Sequence, residues 1–142
     1  MISFINGKKY PFSARLCPPG YKCVPFITLM IMHGERSEPV IGKMDTGART
    51  TMLNEETANT LGIILPSDDS PSAKTGYTAT KGEFKYWEYP IWFSFYNDQG
   101  DPFPFPIKAG FSRHIRNNLF GTDWLNYFCM GIDRESIHLL RN

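Results

Sequence analysis

Apolar residues in this chain recur mostly at every second position, in short runs broken by Gly, Pro, Asn and Asp. That period is the mark of strands with one buried face. A first strand spans about 23–33, with Val24, Phe26, Ile27, Leu29, Ile31 and Met32, and a polar turn over 33–38 follows. The stretch 39–44 returns as its partner. Trp87, Tyr89, Ile91, Phe93 and Phe95 alternate with Glu88, Pro90, Trp92 and Ser94, and Phe103, Phe105, Ile107 and Ala109 alternate with Pro102, Pro104 and Pro106. Proline cannot donate to a ladder, so the second of these runs is expected at an edge. Residues 75–80 and 82–86 predict a long hairpin with Thr80-Lys81-Gly82 near its tip. Asn118-Leu119-Phe120 stops at Gly121, residues 122–127 predict one or two helical turns, and 129–132 with 137–140 predict a closing hairpin. Asn6-Gly7 predicts a hairpin turn between 2–5 and 10–16. The single clear helix is 54–62: Asn54 suits the N-cap, Glu55 and Glu56 the first turn, and Gly62 the stop. The sum is an all-β domain of eight or more short strands, closed or folded over, with one or two short helices.

Composition narrows the function classes. A chain of 142 residues fits one domain with a real core. Aromatic residues make up 15%, and 12 Gly and 11 Pro supply many turns, which agrees with a β-rich fold. A net charge of +1, with Lys and Arg scattered, gives no electrostatic case for nucleic acid or for an anionic membrane. No apolar run is long enough to span a bilayer, and the first residues have no signal-like apolar core. Cys17, Cys23 and Cys129 are odd in number and lack zinc-knuckle spacing, so reduced thiols and a cytoplasmic location are expected. His33, His114 and His138 are far apart and no HExxH motif occurs, so no metal or other cofactor is expected. No Gly-x-Ser-x-Gly context supports a serine nucleophile.

The stretch that asks for a chemical explanation is Asp45-Thr46-Gly47-Ala48, at the end of the strand that begins near Pro39. A carboxylate there sits on a tight turn where backbone N–H groups reach its oxygens. Gly47 allows close backbone approach, and the Thr46 hydroxyl can brace the turn. Such a fixed carboxylate suits acid–base chemistry on a bound water.

Asp45-Thr46-Gly47-Ala48 followed by Thr50 or Thr51, then a short helix, a Gly-containing hairpin and a late Leu119-Phe120-Gly121 before a helical turn, resembles the retropepsin-like aspartic proteases. The resemblance runs from about Val24 to Leu140 and implies a closed β-barrel half-lobe over residues 21–142, with residues 1–20 as an N-terminal extension. It implies an aspartic endopeptidase whose catalytic residues are Asp45, Thr46 and Gly47. It implies a peptide or protein substrate held by Ala48, by the hairpin tip Thr78, Ala79, Thr80, Lys81 and Gly82, and by Leu119, Phe120 and Gly121. The mechanism needs two carboxylates sharing one proton, and this sequence has one Asp-Thr-Gly. The resemblance therefore implies a symmetric homodimer.

Three positions depart from the family's pattern. Lys43 stands where an apolar residue is expected, Thr122 where Arg is frequent, and Arg49 where an acid is frequent. Arg49 is expected to pair with Asp123 and brace the dimer edge. The alternative to a protease is a retropepsin-like dimerisation or peptide-binding module without useful proteolysis.

Overall fold

The computed structural model describes residues 8–11, 26–79, 82–96, 102–132 and 136–141. The predicted Asn6-Gly7 turn, Cys17, Cys23 and the hairpin-tip residues Thr80 and Lys81 lie outside them. Strand β1 (Lys8–Pro11) pairs antiparallel with a C-terminal strand described below.

Strands β2 (Phe26–His33) and β3 (Arg36–Met44) form a hairpin that turns at Gly34, whose φ of 58° is in the left-handed region. Their alternation is as the sequence predicts. Ile27, Leu29, Ile31, Val40 and Met44 are buried, whereas Ile41 and Lys43 lie on the other face of β3 and are half-buried. After a loop comes β4 (Met52–Asn54), then α1 (Glu55–Thr60), then β5 (Lys74–Thr78), which pairs with the start of β6 (Gly82–Tyr96) as the expected hairpin. Strand β7 (Pro102–Ser112) follows, then β8 (Asn118–Phe120) and a 3₁₀ helix (Thr122–Asn126). Strands β9 (Phe128–Ile132) and β10 (Ser136–Arg141) close the chain as the expected hairpin.

Six strands close into a barrel in the order β2-β3-β8-β4-β7-β6, with β6 returning to β2 and β5 attached outside β6. Among the described residues, the closing seam pairs Met30, Ile31 and Met32 with Ser94, Phe93 and Trp92. A second sheet, β1-β10-β9, packs on the same core through Phe128, Ile137 and Leu139. The prolines of β7 act as expected. Pro102, Pro104 and Pro106 face Tyr96, Ser94 and Trp92 on β6, and the other neighbour, β4, reaches only Gly110, Phe111 and Ser112. Among the described residues, no strand pairs with the outer edge of the proline half of β7, where a missing N–H costs nothing.

The core is unusually aromatic. Phe93 and Phe105 stack at 5.6 Å and 20°, and Phe120 stacks on Trp124 at 4.9 Å and 22°. Phe93 meets both members of the second pair edge-on. Offset and edge geometries of this kind add to simple area burial by about 0.5–1.5 kcal/mol per pair. Two indole N–H groups, of Trp87 and Trp124, are buried without a hydrogen-bond partner among the described residues. A group left so costs about 1–3 kcal/mol, which the ring packing offsets.

Helix α1 is closed at both ends as its sequence predicts. The Asn54 side chain accepts from Thr57 N–H at 2.9 Å. At the far end Gly62, with φ 74°, donates to the Asn59 carbonyl, and Ile63 donates to that of Ala58, the paired bonds of a Schellman stop.

The feature that fixes the topology is β8. It runs parallel to β3 (Gly42 opposite Asn118, Met44 opposite Phe120) and lies between β3 and β4, although β3 and β4 are consecutive in the chain. The buried Asn118 side chain anchors it there. Its oxygen accepts from Asn54 N–H at 2.8 Å and lies 3.2 Å from the Thr57 hydroxyl, and its amide donates to the Ile41 carbonyl at 3.0 Å. One side chain thus joins β3, β8 and the start of α1. Gly42 is required on the facing strand, because a Cβ there would come within 2.4 Å of the Phe120 ring. Asn118→Leu leaves the Asn54 N–H and the Ile41 carbonyl buried without partners, and it is expected to lower unfolding free energy by about 3 kcal/mol, measured by urea denaturation.

Candidate active site

Asp45 sits where β3 leaves the barrel. Its N–H donates to the Phe120 carbonyl at 2.9 Å, so the ladder with β8 continues to this residue and its orientation follows the strand. The chain then turns. Gly47 N–H donates to Asp45 Oδ1 at 2.9 Å, and Ala48 N–H donates to the Asp45 carbonyl at 3.1 Å. A Cβ on Gly47 would lie 3.1 Å from the same carboxylate oxygen. The Asp45 carboxylate is half-exposed, Thr46 is exposed, and the Thr46 hydroxyl has no partner among the described residues. The turn therefore presents a carboxylate and a hydroxyl outward from a fixed base.

That base is built by β8 and the residues after it. Thr122 N–H donates to the Ala48 carbonyl at 2.8 Å. Gly121 lies directly under the turn, where a Cβ would come within 2.8 Å of the Ala48 carbonyl oxygen and 2.7 Å of the Thr50 carbonyl carbon. Only glycine fits between these two backbones. Of Leu119, Phe120 and Gly121, only Leu119 offers a side chain to the surface. Phe120 serves the loop with its carbonyl, while its ring is fully buried in the aromatic core.

Thr51 ties the loop to the 3₁₀ helix. It is buried, and its hydroxyl accepts from Gly121 N–H at 3.1 Å while donating to Asp123 Oδ1 at 2.8 Å. Its N–H donates to Asp123 Oδ2 at 2.8 Å, and its carbonyl accepts from Gly110 N–H at 3.0 Å. The expected Arg49–Asp123 pair does not form. Both Asp123 oxygens are turned inward to Thr51, and Arg49 is exposed with no ion pair among the described residues. A carboxylate that satisfies two buried donors is held there more firmly than a surface ion pair would hold it. Sequence reading missed this contact because its partners are 72 residues apart and neither belongs to a local motif.

The hairpin residues Thr78, Ala79 and Gly82 stand at the end of β5–β6, where β6 is the one strand paired with β5 among the described residues. Gly82 has φ 72°, a value that favours glycine. Between the hairpin and the loop that precedes β8 lies a cavity of about 220 Å³ lined by Thr78, Glu83, Phe84, His114 and Ile115. That loop is held from behind. Arg113 donates to Asp68 at 2.8 Å and to the carbonyls of Pro66 and Leu65, and His114 Nε2 lies 2.6 Å from Asp68. The hydrogen bond to His114, and next the one from Arg113, hold the Asp68 carboxyl below its ordinary range. The sequence carried no sign of this second cluster, because loops about 45 residues apart meet only in the fold. No group of three or more His, Cys, Asp or Glu among the described residues is placed to hold a metal ion. None of the helices among them is long and apolar enough to cross a membrane.

Burial raises the Asp123 carboxyl above its ordinary value, against the bonds from Thr51 that lower it. The folded state then holds this proton more tightly than the unfolded state does. The resulting stability is fully present below the unfolded value and is lost as pH rises through the folded one. Wild type is therefore expected to gain stability relative to Asp123→Asn as pH falls from about 7 to about 3, read from paired thermal melts. A difference that stays flat across that range overturns the assignment. Thr51→Val strands the Gly121 N–H and one Asp123 oxygen, and it should cost about 2–4 kcal/mol at neutral pH by urea denaturation.

No protein-family model matches the sequence, and no curated protein matches it. Solved structures do. A retropepsin-like aspartic protease from Rickettsia conorii superposes with a TM-score of 0.61 at 20% identity, over 94% of this chain and 98% of that one. The EIAV protease complexed with the inhibitor HBY-793 gives 0.47 at 17% identity, over 77% and 91%, and the retroviral protease-like domain of Ddi1 from Leishmania major gives 0.42 at 18%, over 83% and 96%. With a closed β-barrel, one short α-helix, a strand threaded between two consecutive strands and Asp-Thr-Gly on the turn beside it, the chain has the retropepsin-like aspartic protease fold.

Proposed function

We propose that this chain is one half of an aspartic endopeptidase, in which two copies bring their Asp45 carboxylates together on a two-fold axis. The observation that carries the reading is the turn itself. Asp45 is fixed by the Phe120 carbonyl and Gly47 N–H, and the neighbouring Thr46 is exposed with its hydroxyl unpartnered among the described residues. One Asp45 oxygen closes the turn by accepting from Gly47 N–H, which leaves the other oxygen and the Thr46 hydroxyl open to a partner.

The chemistry explains why a second copy is needed. Two carboxylates held close cannot both ionise, so the pair holds one proton and titrates as a unit. The ionised member takes a proton from a water, which attacks the peptide carbonyl carbon. The protonated member donates to the carbonyl oxygen, and the tetrahedral species then collapses with proton transfer to the departing amine. One carboxylate cannot hold both roles at once. A two-fold axis supplies the second from the same sequence, and each Thr46 hydroxyl then finds a partner across it. The substrate lies extended, with backbone bonds to the hairpin over residues 78–82 and contacts to Ala48, Leu119 and the Gly121 backbone.

Asp45→Asn is expected to lower peptide cleavage at least about 10³-fold while leaving the fold unchanged. Cleavage across pH, read beside sedimentation mass, checks both parts. Activity should rise and fall with the dimer on dilution. A confirmed dimer that cleaves no peptide overturns catalysis in favour of a peptide-binding module, and cleavage that survives Asp45→Asn overturns the mechanism.

A further inference from the structure

We propose that Lys43 and Arg49 make the floor of the cleft cationic and select substrates with acidic side chains on either side of the scissile bond. The inference rests on the endopeptidase reading above and concerns the substrate class of that same site.

On β3, Val40, Gly42 and Met44 face the core, and Ile41 and Lys43 face away from it. The ladder continues to Asp45 through its bond to the Phe120 carbonyl. Asp45 therefore shares the face of Lys43, two residues away. Cross-strand register sets Lys43 between Phe26 on β2 and Leu119 on β8, both half-buried. A long side chain in that setting lays its methylenes along apolar neighbours and ends in an ammonium at the rim. Arg49 lies at the other end of the same turn, exposed, four residues after Asp45.

Several other cations are paired, whereas Lys43, Arg49 and, away from the Asp45 turn, Arg36 and Arg116 have no ion pair among the described residues. Lys74 and Lys108 share Glu88, Lys85 lies near Glu83, and Arg113 holds Glu55 and Asp68. Neither Lys43 nor Arg49 has an ion pair or a side-chain hydrogen bond among the described residues. The acid that could have neutralised Arg49, Asp123, is committed to Thr51. Apart from Asp45 itself, no acid among the described residues pairs with them, so their field acts on whatever approaches Asp45. A bound peptide strips water from the half-buried Lys43, and an ammonium so desolvated is best satisfied by a carboxylate. Two-fold symmetry repeats both cations on the far side of the axis, so the selection extends to both sides of the cut.

The test uses peptides matched in length and sequence that differ only in acidic, neutral or basic residues flanking one scissile bond. Wild type should favour the acidic set over the neutral one by about fivefold in kcat/KM, and added salt should shrink that ratio. Lys43→Met and Arg49→Gln should each reduce the ratio, and Arg49→Glu should shift preference toward the basic set. Arg49 is exposed in a loop, so its variants test selection without endangering the fold. Equal cleavage of all three sets overturns the cationic selection and leaves proteolysis standing. Cleavage of none of them by a confirmed dimer overturns both.

Discussion

The buried hydroxyl of Thr51 is the point on which the site depends. It receives the Gly121 N–H and gives its own proton to Asp123, while the same residue's N–H and carbonyl reach Asp123 and Gly110. Four elements, the Asp45 loop, β8, the 3₁₀ helix and β7, thereby meet at one residue. Without it, the turn that carries Asp45 would rest on its local bonds and on two backbone bonds, from Asp45 N–H to Phe120 and from Thr122 N–H to Ala48. With it, the position of the carboxylate is set by the barrel. This division suits catalytic geometry, because a group placed by rigid strands holds its place better than one on a free loop.

The threading of β8 makes that arrangement possible. A strand that arrives late in the chain enters between two early consecutive ones, so the turn joining β3 to β4 must arch over its end. The arch leaves room for no side chain at Gly121, and the Phe120 ring leaves none at Gly42. Glycines and apolar residues thus alternate in function at one crossing. The glycines allow the backbones to approach, and Phe120, stacked on Trp124, fills the core beneath them.

Much of this was legible in the sequence because it is local. Period-two alternation gave β2, β3, β6 and β7, and Asn54 with Gly62 marked both ends of α1. Asp45-Thr46-Gly47 marked the turn. What the sequence concealed depends on long-range pairing. Asn118 looked like the start of a short apolar run, yet its amide holds three segments together. Asp123 looked available to Arg49, because spacing along the chain says nothing of which way a carboxylate turns once Thr51 is buried beside it. The edge expected for the proline strand holds for only half its length, since β4 covers the other half. Phe120 reads as part of one surface motif with Leu119, and strand alternation separates their side chains to opposite faces.

The short seam between β2 and β6 has a further consequence. Ten described residue pairs join β6 to β7, and three join β6 to β2. Among the described residues, the seam that closes the barrel is thus narrower than the hairpin before it. Parting it leaves the core of β6 paired to β7 while opening one side of that long strand to solvent exchange. The edge uncovered carries Met30, Ile31 and Met32, an apolar run suited to pairing with a stray strand. The hold of that seam then bears on how long the chain survives unaggregated in its folded form.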